Sequence, residues 1–458
     1  MAGSTFGSMT QQGVRWTADQ VLALAPDVAS RKAGSRLGAA GPWSGAGSSE
    51  EGTVWGLCRG SGSNPYRTVV DIADSTGPAY KCSCPSRKFP CKHALGLLLL
   101  WAGEDGTVPR GQAPDWAEEW IEGRRKRADD KRAASAAGSP PSADPEAARR
   151  RAERRAERIT AGAAELEQRL TDLLRGGLAA AERAGYGLWE ETAARMVDAQ
   201  APGLAARVRE LGAIPSSGPG WPVRLLEECA LLHLLDQGWL RREELPDGLA
   251  ATVRSRIGLP GSADGPPVRD QWLVLAQYDS ADSRLTTRRI WLHGAESGRT
   301  VLLLSYGAAG RAPELALPVG PALDAEVSAY PGAGQPRAAL GEQFSAPAPT
   351  TLRPPAVGVA EAARQYGDAL RDDPWLDSHP VTLGRVIPTP DGDHWQLADA
   401  DGELALPLTL AAESNAGLWR LVALSGGAPV TVFGECGHRG FTPLTAWPQG
   451  PGAAVPLC

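Results

Sequence analysis

The sequence predicts an α+β chain with three regions in order: a small metal-stapled module of strand, knuckle and helix, then a helical region, then β-rich C-terminal blocks. Three observations carry this. Residues 81–101, KCSCPSRKFPCKHALGLLLLW, gather Cys82, Cys84, Cys91 and His93 just before an apolar run. From Ala152 to Leu173 the apolar residues recur at alternating steps of four and three, the period of a packed helix. After residue 270 the pattern changes to short apolar runs bounded by Ser, Asp and Gly, as strands are.

At the front, VRWTADQVLALAPDVASRKAGSRLG reads as two short helices. Thr17 with Gln20 makes a capping box, Pro26 breaks the first helix, Asp27 caps the second and Gly38 ends it. Glycine and serine dominate from there to Gly52. Three strand-like runs follow, TVWGLCR, YRTVVDIA and AYKCSC, and they suit a small antiparallel sheet with Cys58 as a core thiol.

The knuckle has a geometric logic. Along an extended strand, side chains two apart leave from one face, so Cys82 and Cys84 can look at one ion if the chain bends, and Pro85 supplies the bend. On a helix, residues two apart diverge by about 200°. Cys91 must therefore sit just before a helix that begins near His93, a place Pro90 favours. Three sulfurs and one imidazole form a closed tetrahedral donor set, which points to one structural zinc and not to a catalytic one, since a catalytic site keeps a position open. Buried free thiols would not be interleaved with Lys81, Ser83, Arg87, Lys88 and Lys92, and a disulfide between Cys82 and Cys84 would be strained.

The stretch resembles the SWIM-type zinc finger, in which Cys-x-Cys, a variable gap and Cys-x-His precede an apolar helix. Every ligand position is filled here, by Cys82, Cys84, Cys91 and His93, and the resemblance covers roughly residues 53–102. It implies a structural Zn²⁺ and, as partners, DNA or proteins.

A unit this small needs such a staple, and its helix LGLLLLW, apolar all round, needs cover. The N-terminal helices and Trp116, Trp120 and Ile121 are the expected cover, which sets a first domain at residues 1–122. Residues 123–143, charged and then rich in Ala, Ser and Pro, read as a linker. A helical domain is expected over 144–258, opened by Asp144 and Pro145. Its seam runs through Ala152, Ala156, Ile159, Ala163, Leu166, Leu170 and Leu173, as in a helix packed within a bundle. Arg149, Arg150, Arg151, Arg154, Arg155 and Arg158 read as a solvated face. Cys229 and His233 read as core residues. A β-meander is expected over 268–345. One helix and a small β-barrel or five-stranded sheet follow over 356–458, with LWRLVALSGG among the strands. Cys436 and His438 repeat half a zinc pattern without its other half.

Net charge is −6, unevenly spread: residues 1–160 carry 23 Lys or Arg against 18 Asp or Glu, and the remainder is acidic. Around the knuckle Arg59, Arg67, Lys81, Arg87, Lys88 and Lys92 outnumber Asp71 and Asp74, and these six cations are the candidate nucleic-acid contacts. Some of that charge has a local role, because three thiolates on one Zn²⁺ leave a formal −1. No apolar run reaches membrane-spanning length, no signal peptide is visible, and the clustered cysteines suit a reducing compartment, so a cytoplasmic protein is expected. Walker A, HExxH, GxSxG and GxGxxG patterns are absent. The expectation is a non-catalytic zinc-finger protein associated with nucleic acid or, alternatively, a protein-interaction adaptor, with no membrane and no small-molecule substrate inferred.

Overall fold

A computed structural model describes residues 16–458 apart from 17, 23, 26–27, 50–51, 61–63, 73–77, 87–89, 104–106, 137–144, 260, 282–284, 309–312, 314, 333, 335, 410–414 and 451. Two short helices, α1 (Ala18–Leu22) and α2 (Val28–Ser35), lead into a four-stranded antiparallel sheet. Its strands β1 (Trp43–Ser48), β2 (Thr53–Cys58), β3 (Tyr66–Asp71) and β4 (Ala79–Cys82) lie in sequence order. The caps read at Thr17 and Asp27 lie outside the described residues. β1 falls in the stretch where glycine and serine dominate. WSGAGS has little strand propensity, and it is recruited by pairing with β2, Trp43 opposite Cys58 and Ser48 opposite Val54.

Helix α3 (Lys92–Ala102) covers one face of this sheet. His93, Ala94, Leu95, Leu97, Leu98, Leu100 and Trp101 are all buried, in a core shared with Trp16, Val21, Leu24, Val54 and Val70. The approach of α2 is close enough that a Cβ on Gly96 would lie 2.5 Å from the Leu37 Cβ, so only glycine fits there. The other face is covered from α4 (Asp115–Ala136), whose Ala117 packs with Trp55 and Val69, flanked by Trp116 and Trp120. Those two tryptophans thus cover the sheet and not α3. The stretch 123–136, expected as an irregular linker, is helical: α4 runs on through it, since Arg, Lys and Ala are good helix formers. Residues 137–143 lie outside the described residues.

Five helices follow: α5 (Pro145–Gly176), α6 (Ala179–Asp198), α7 (Pro202–Ala213), α8 (Trp221–Leu240) and α9 (Asp247–Ile257). The α5 seam points inward, with Ile159, Ala163, Leu166 and Leu170 buried among Trp189, Met196, Leu204, Leu225, Leu235 and Trp239. Trp239 donates its Nε1 hydrogen to Thr160 Oγ1 at 3.1 Å. Cys229 is core, but His233 is not. It is exposed, with Nδ1 2.7 Å from Glu167.

The next block is a closed barrel and not a meander. Strands β5 (Val268–Ala281), β6 (Leu285–Gly294), β7 (Thr300–Ala308), β8 (Ala322–Ala329) and β9 (Arg337–Gln343) pair in the order β5-β6-β7-β9-β8, and β8 returns to β5. Closure comes from β9, which runs antiparallel to β8 and parallel to β7, Leu302 facing Arg337. Trp272, Val274, Ile290 and Leu292 fill the interior. Their strand neighbours Leu273, Leu275 and Trp291 look outward and pack on Phe433, Leu444 and Trp447 of the C-terminal sheet. Burial on both faces explains the unbroken apolar run WLVLA.

The last block is a six-stranded antiparallel sheet with two helices. After α10 (Val359–Asp372) come β10 (Ser378–Asp391), β11 (His394–Asp399), β12 (Ala405–Pro407), α11 (Asn415–Ser425), β13 (Val430–Gly437), β14 (Gly440–Trp447) and β15 (Val455–Pro456), ordered β12-β11-β10-β13-β14-β15. The run LWRLVALSGG is helical and not a strand. Leu418, Leu421 and Ser425 are buried at steps of three and four, while Trp419 points to solvent. Among the described residues no helix is long and apolar enough to cross a membrane.

Candidate metal centre

Each of the four ligands is delivered by a different local device. Cys82 is the last residue of β4, and its pairing with Thr68 fixes which face it leaves from. Cys84 follows in the turn after the strand, ahead of Pro85. Cys91 occupies the N-cap position of α3 in an extended conformation, φ −73° and ψ 165°, and its carbonyl already accepts the first helical hydrogen bond, from Leu95 N at 3.0 Å. His93 sits in the first turn. The helix therefore begins one residue before His93, as the two-residue spacing demands, because Cys91 points inward only from outside the helix.

The four donor atoms lie within 4.8 Å of one another. Cys82 Sγ is 3.7 Å from His93 Nδ1. A tetrahedron with metal bonds of about 2.0–2.3 Å has edges of roughly 3.3–3.8 Å, so that separation is already the one a shared zinc needs. Cys91 and His93 are 1 % and 4 % exposed, while Cys82 and Cys84 are half-buried. Three thiols and one imidazole, gathered so closely, make a complete tetrahedral donor set and fit one structural zinc. Cys82 is the thiol most ready to ionise. A hydrogen bond from Cys91 pulls its pKa far down, helped by His93 and Thr68, and the same bond together with burial pushes Cys91 up.

Two further residues brace the ligands, and neither was evident in the sequence. The Thr68 hydroxyl lies 3.2 Å from Cys82 Sγ, and the Tyr66 ring packs on the His93 imidazole with centroids 4.8 Å apart. Only the β3–β4 register puts Thr68 opposite Cys82. Such outer partners orient ligands and tune them. Cys58 is wholly buried, and its thiol is pushed up by burial and then by Cys82, so it stays a core thiol beside the site.

Residues 70–102 match the SWIM zinc finger family. The knuckle is a SWIM zinc finger. Residues 154–257, from the third turn of α5 to the end of α9, match the SWIM-associated four-helix bundle domain. The chain thus carries the finger together with the helical domain named for its association with it. No curated protein and no solved structure matches the chain.

The six candidate cations do not share one surface. Arg59 and Lys92 are exposed and line a cavity of about 580 Å³ beside the finger, together with Tyr66, Cys84, Pro85 and His93. Lys81 pairs with Val69 and shares a face with Arg67, the face that α4 covers, whereas Thr68 and Cys82 look the other way. Arg67 and Lys81 therefore belong to the opposite side of the sheet from the zinc ligands. Arg87 and Lys88 lie outside the described residues. Among the described residues no second group of ligands could hold a metal. Cys436 faces His379 across β10 and β13 and is buried.

Proposed function

We propose that this is a non-catalytic zinc-finger protein whose finger face associates with nucleic acid, weakly and without sequence preference. The observation that carries the reading is the cavity beside the finger. Arg59 and Lys92 offer two exposed cations to phosphates, and Tyr66, locked on His93, offers a ring against which a base can stack. Zinc holds this surface in shape and takes no chemical step, since its four positions are filled by protein.

The acidic balance of residues 161–458 limits affinity, hence the expectation of weak binding. The test is a titration of mixed single- and double-stranded nucleic acids at two salt concentrations. Reversing Arg59 and Lys92 together to glutamate should remove about two phosphate contacts and flatten the log–log salt slope by roughly 1.4–1.8, with zinc content unchanged. An intact protein with no salt-dependent binding would sink the reading.

A second reading, a protein-interaction adaptor, has its own support. Val223, Leu226 and Leu234 are exposed along one side of α8, at 61 %, 48 % and 43 %. A partner captured by the wild type and lost on Leu226→Asp, in a protein that shows no nucleic-acid binding, would favour it.

A further inference from the structure

We propose that the junction of helical bundle, barrel and C-terminal block is a binding site for a nucleoside phosphate. It lies apart from the finger and rests on separate observations. A cavity of about 840 Å³ opens where the last turn of α9, strands β6 and β7, the β8–β9 turn and the α10–β10 connection meet. That is within the size of small-ligand sites, about 300–1,000 Å³.

Its walls carry four arginines: Arg254 and Arg256 from α9, Arg289 from β6 and Arg337 at the start of β9. One of them is committed to structure. Arg256 grips Asp373 with two hydrogen bonds, at 2.6 and 3.0 Å, and lies over the Trp375 ring. Asp373 is 1 % exposed, and the β8–β9 turn presses so closely on it that a Cβ on Gly334 would meet its carboxylate. This pair makes the cavity's fixed wall.

The other three are not held by a carboxylate, although Arg337 lies over the Tyr330 ring. Among the described residues Arg254, Arg289 and Arg337 form no ion pair, whereas Arg269 and Arg288 of the barrel pair with Asp324 and Asp279. With Asp373 taken up by Arg256, the lining sets three arginines against Asp264 and Asp377, and these arginines can hold a phosphate through forked, charge-assisted hydrogen bonds. The remaining lining suits the other half of a nucleoside phosphate. The Tyr330 ring, with Arg337 5.1 Å from its centroid, offers a flat face to a base. Asp264, which accepts a hydrogen bond from Ser262 at 2.6 Å, and Asp377 offer acceptors for sugar hydroxyls.

The experiment is calorimetric titration of the full-length, zinc-loaded protein with ATP, AMP, inorganic phosphate and adenosine at physiological salt. The expected result is binding of a nucleotide at least about tenfold tighter than of phosphate or adenosine alone, a difference of about 1.4 kcal/mol. Arg337→Ala and Arg289→Ala should each weaken it about tenfold or more. Arg254→Ala, at an exposed side chain, keeps the test standing if Arg289→Ala fails to fold. Arg269→Ala, on the barrel but paired with Asp324 outside the cavity, should leave binding unchanged, as should Arg59→Glu with Lys92→Glu. Nucleotide binding no tighter than that of inorganic phosphate, or untouched by Arg254→Ala and Arg337→Ala, overturns the proposal.

Discussion

The finger module and the helical bundle solve the same problem in opposite ways. The bundle has enough chain to bury Leu166, Met196, Leu225, Leu235 and Trp239 in one interior, so hydrophobic burial alone can hold it. The module hangs short helices and four short strands on a core of similar character but smaller extent, and the segment that joins strand to helix is held through four ligands. Where burial is short, binding energy of the metal becomes folding energy. The difference teaches where each region is vulnerable: the module to loss of a single ligand, the bundle only to loss of bulk.

The largest expected effect breaks the comparison most directly. Purified protein should carry one zinc per chain, and Cys84→Ser or His93→Ala should abolish it, because zinc contributes on the order of 10 kcal/mol in small metal-folded domains. Limited proteolysis after chelation should then cut before residue 137 and leave the bundle, barrel and last block intact. One exception is expected: Ala316, from the segment after β7, packs in the finger's core, so its neighbourhood should loosen as well. Uniform digestion would mean that finger and bundle share one cooperative unit, and absence of zinc from the intact protein would end the zinc-finger reading.

A smaller effect sharpens the bundle's side. Trp239→Ala empties a fully buried site and frees Thr160, and should cost about 3–5 kcal/mol in a denaturant melt without altering zinc content. Zinc loss in that variant would show coupling between the two regions.

Next in size is a pH effect confined to the bundle. Asp236 is wholly buried on α8, and burial, followed by the nearby Glu167 carboxylate, pushes its carboxyl up to about 9. Glu167 also accepts from Gln237 and faces His233. In the unfolded chain Asp236 releases its proton near pH 4, while the folded protein retains it. Its contribution is therefore complete below that value and is lost as pH rises towards 9, by at most about 1.4 kcal/mol per unit. Asp236→Asn should thus gain stability over wild type as pH rises from 5 to 8. A pH-independent difference between their melting curves would contradict the assignment.

The smallest effect concerns the basic start of α5. Arg149 pairs with Glu153 one turn on, with 82 % and 55 % of the two side chains exposed, so Arg149→Ala should leave the melting temperature within error. A clear loss would mean that this face is covered.

Local spacing was enough to determine some of this protein from the sequence by itself. Cys82, Cys84, Cys91 and His93 could be assigned as one ligand set because strand and helix geometry dictates which neighbours converge, and the α5 seam could be read because a helix keeps its period without outside help. Whatever depended on partners distant in the chain was decided only by the tertiary structure. Thr68 became a brace for Cys82, and Lys81 was turned away from the zinc, through the β3–β4 register. WSGAGS became a strand because β2 offered an edge, and LWRLVALSGG became a helix against the last sheet. The barrel closed because β9 found β7 as well as β8, and the arginines of α9, β6 and β9 met in one cavity only after three separate regions had packed. The reason is physical: periodicity is set by bonds between residues a few places apart, whereas pairing, closure and cavities are set by which surfaces meet, and each of those surfaces is drawn from stretches tens to hundreds of residues apart.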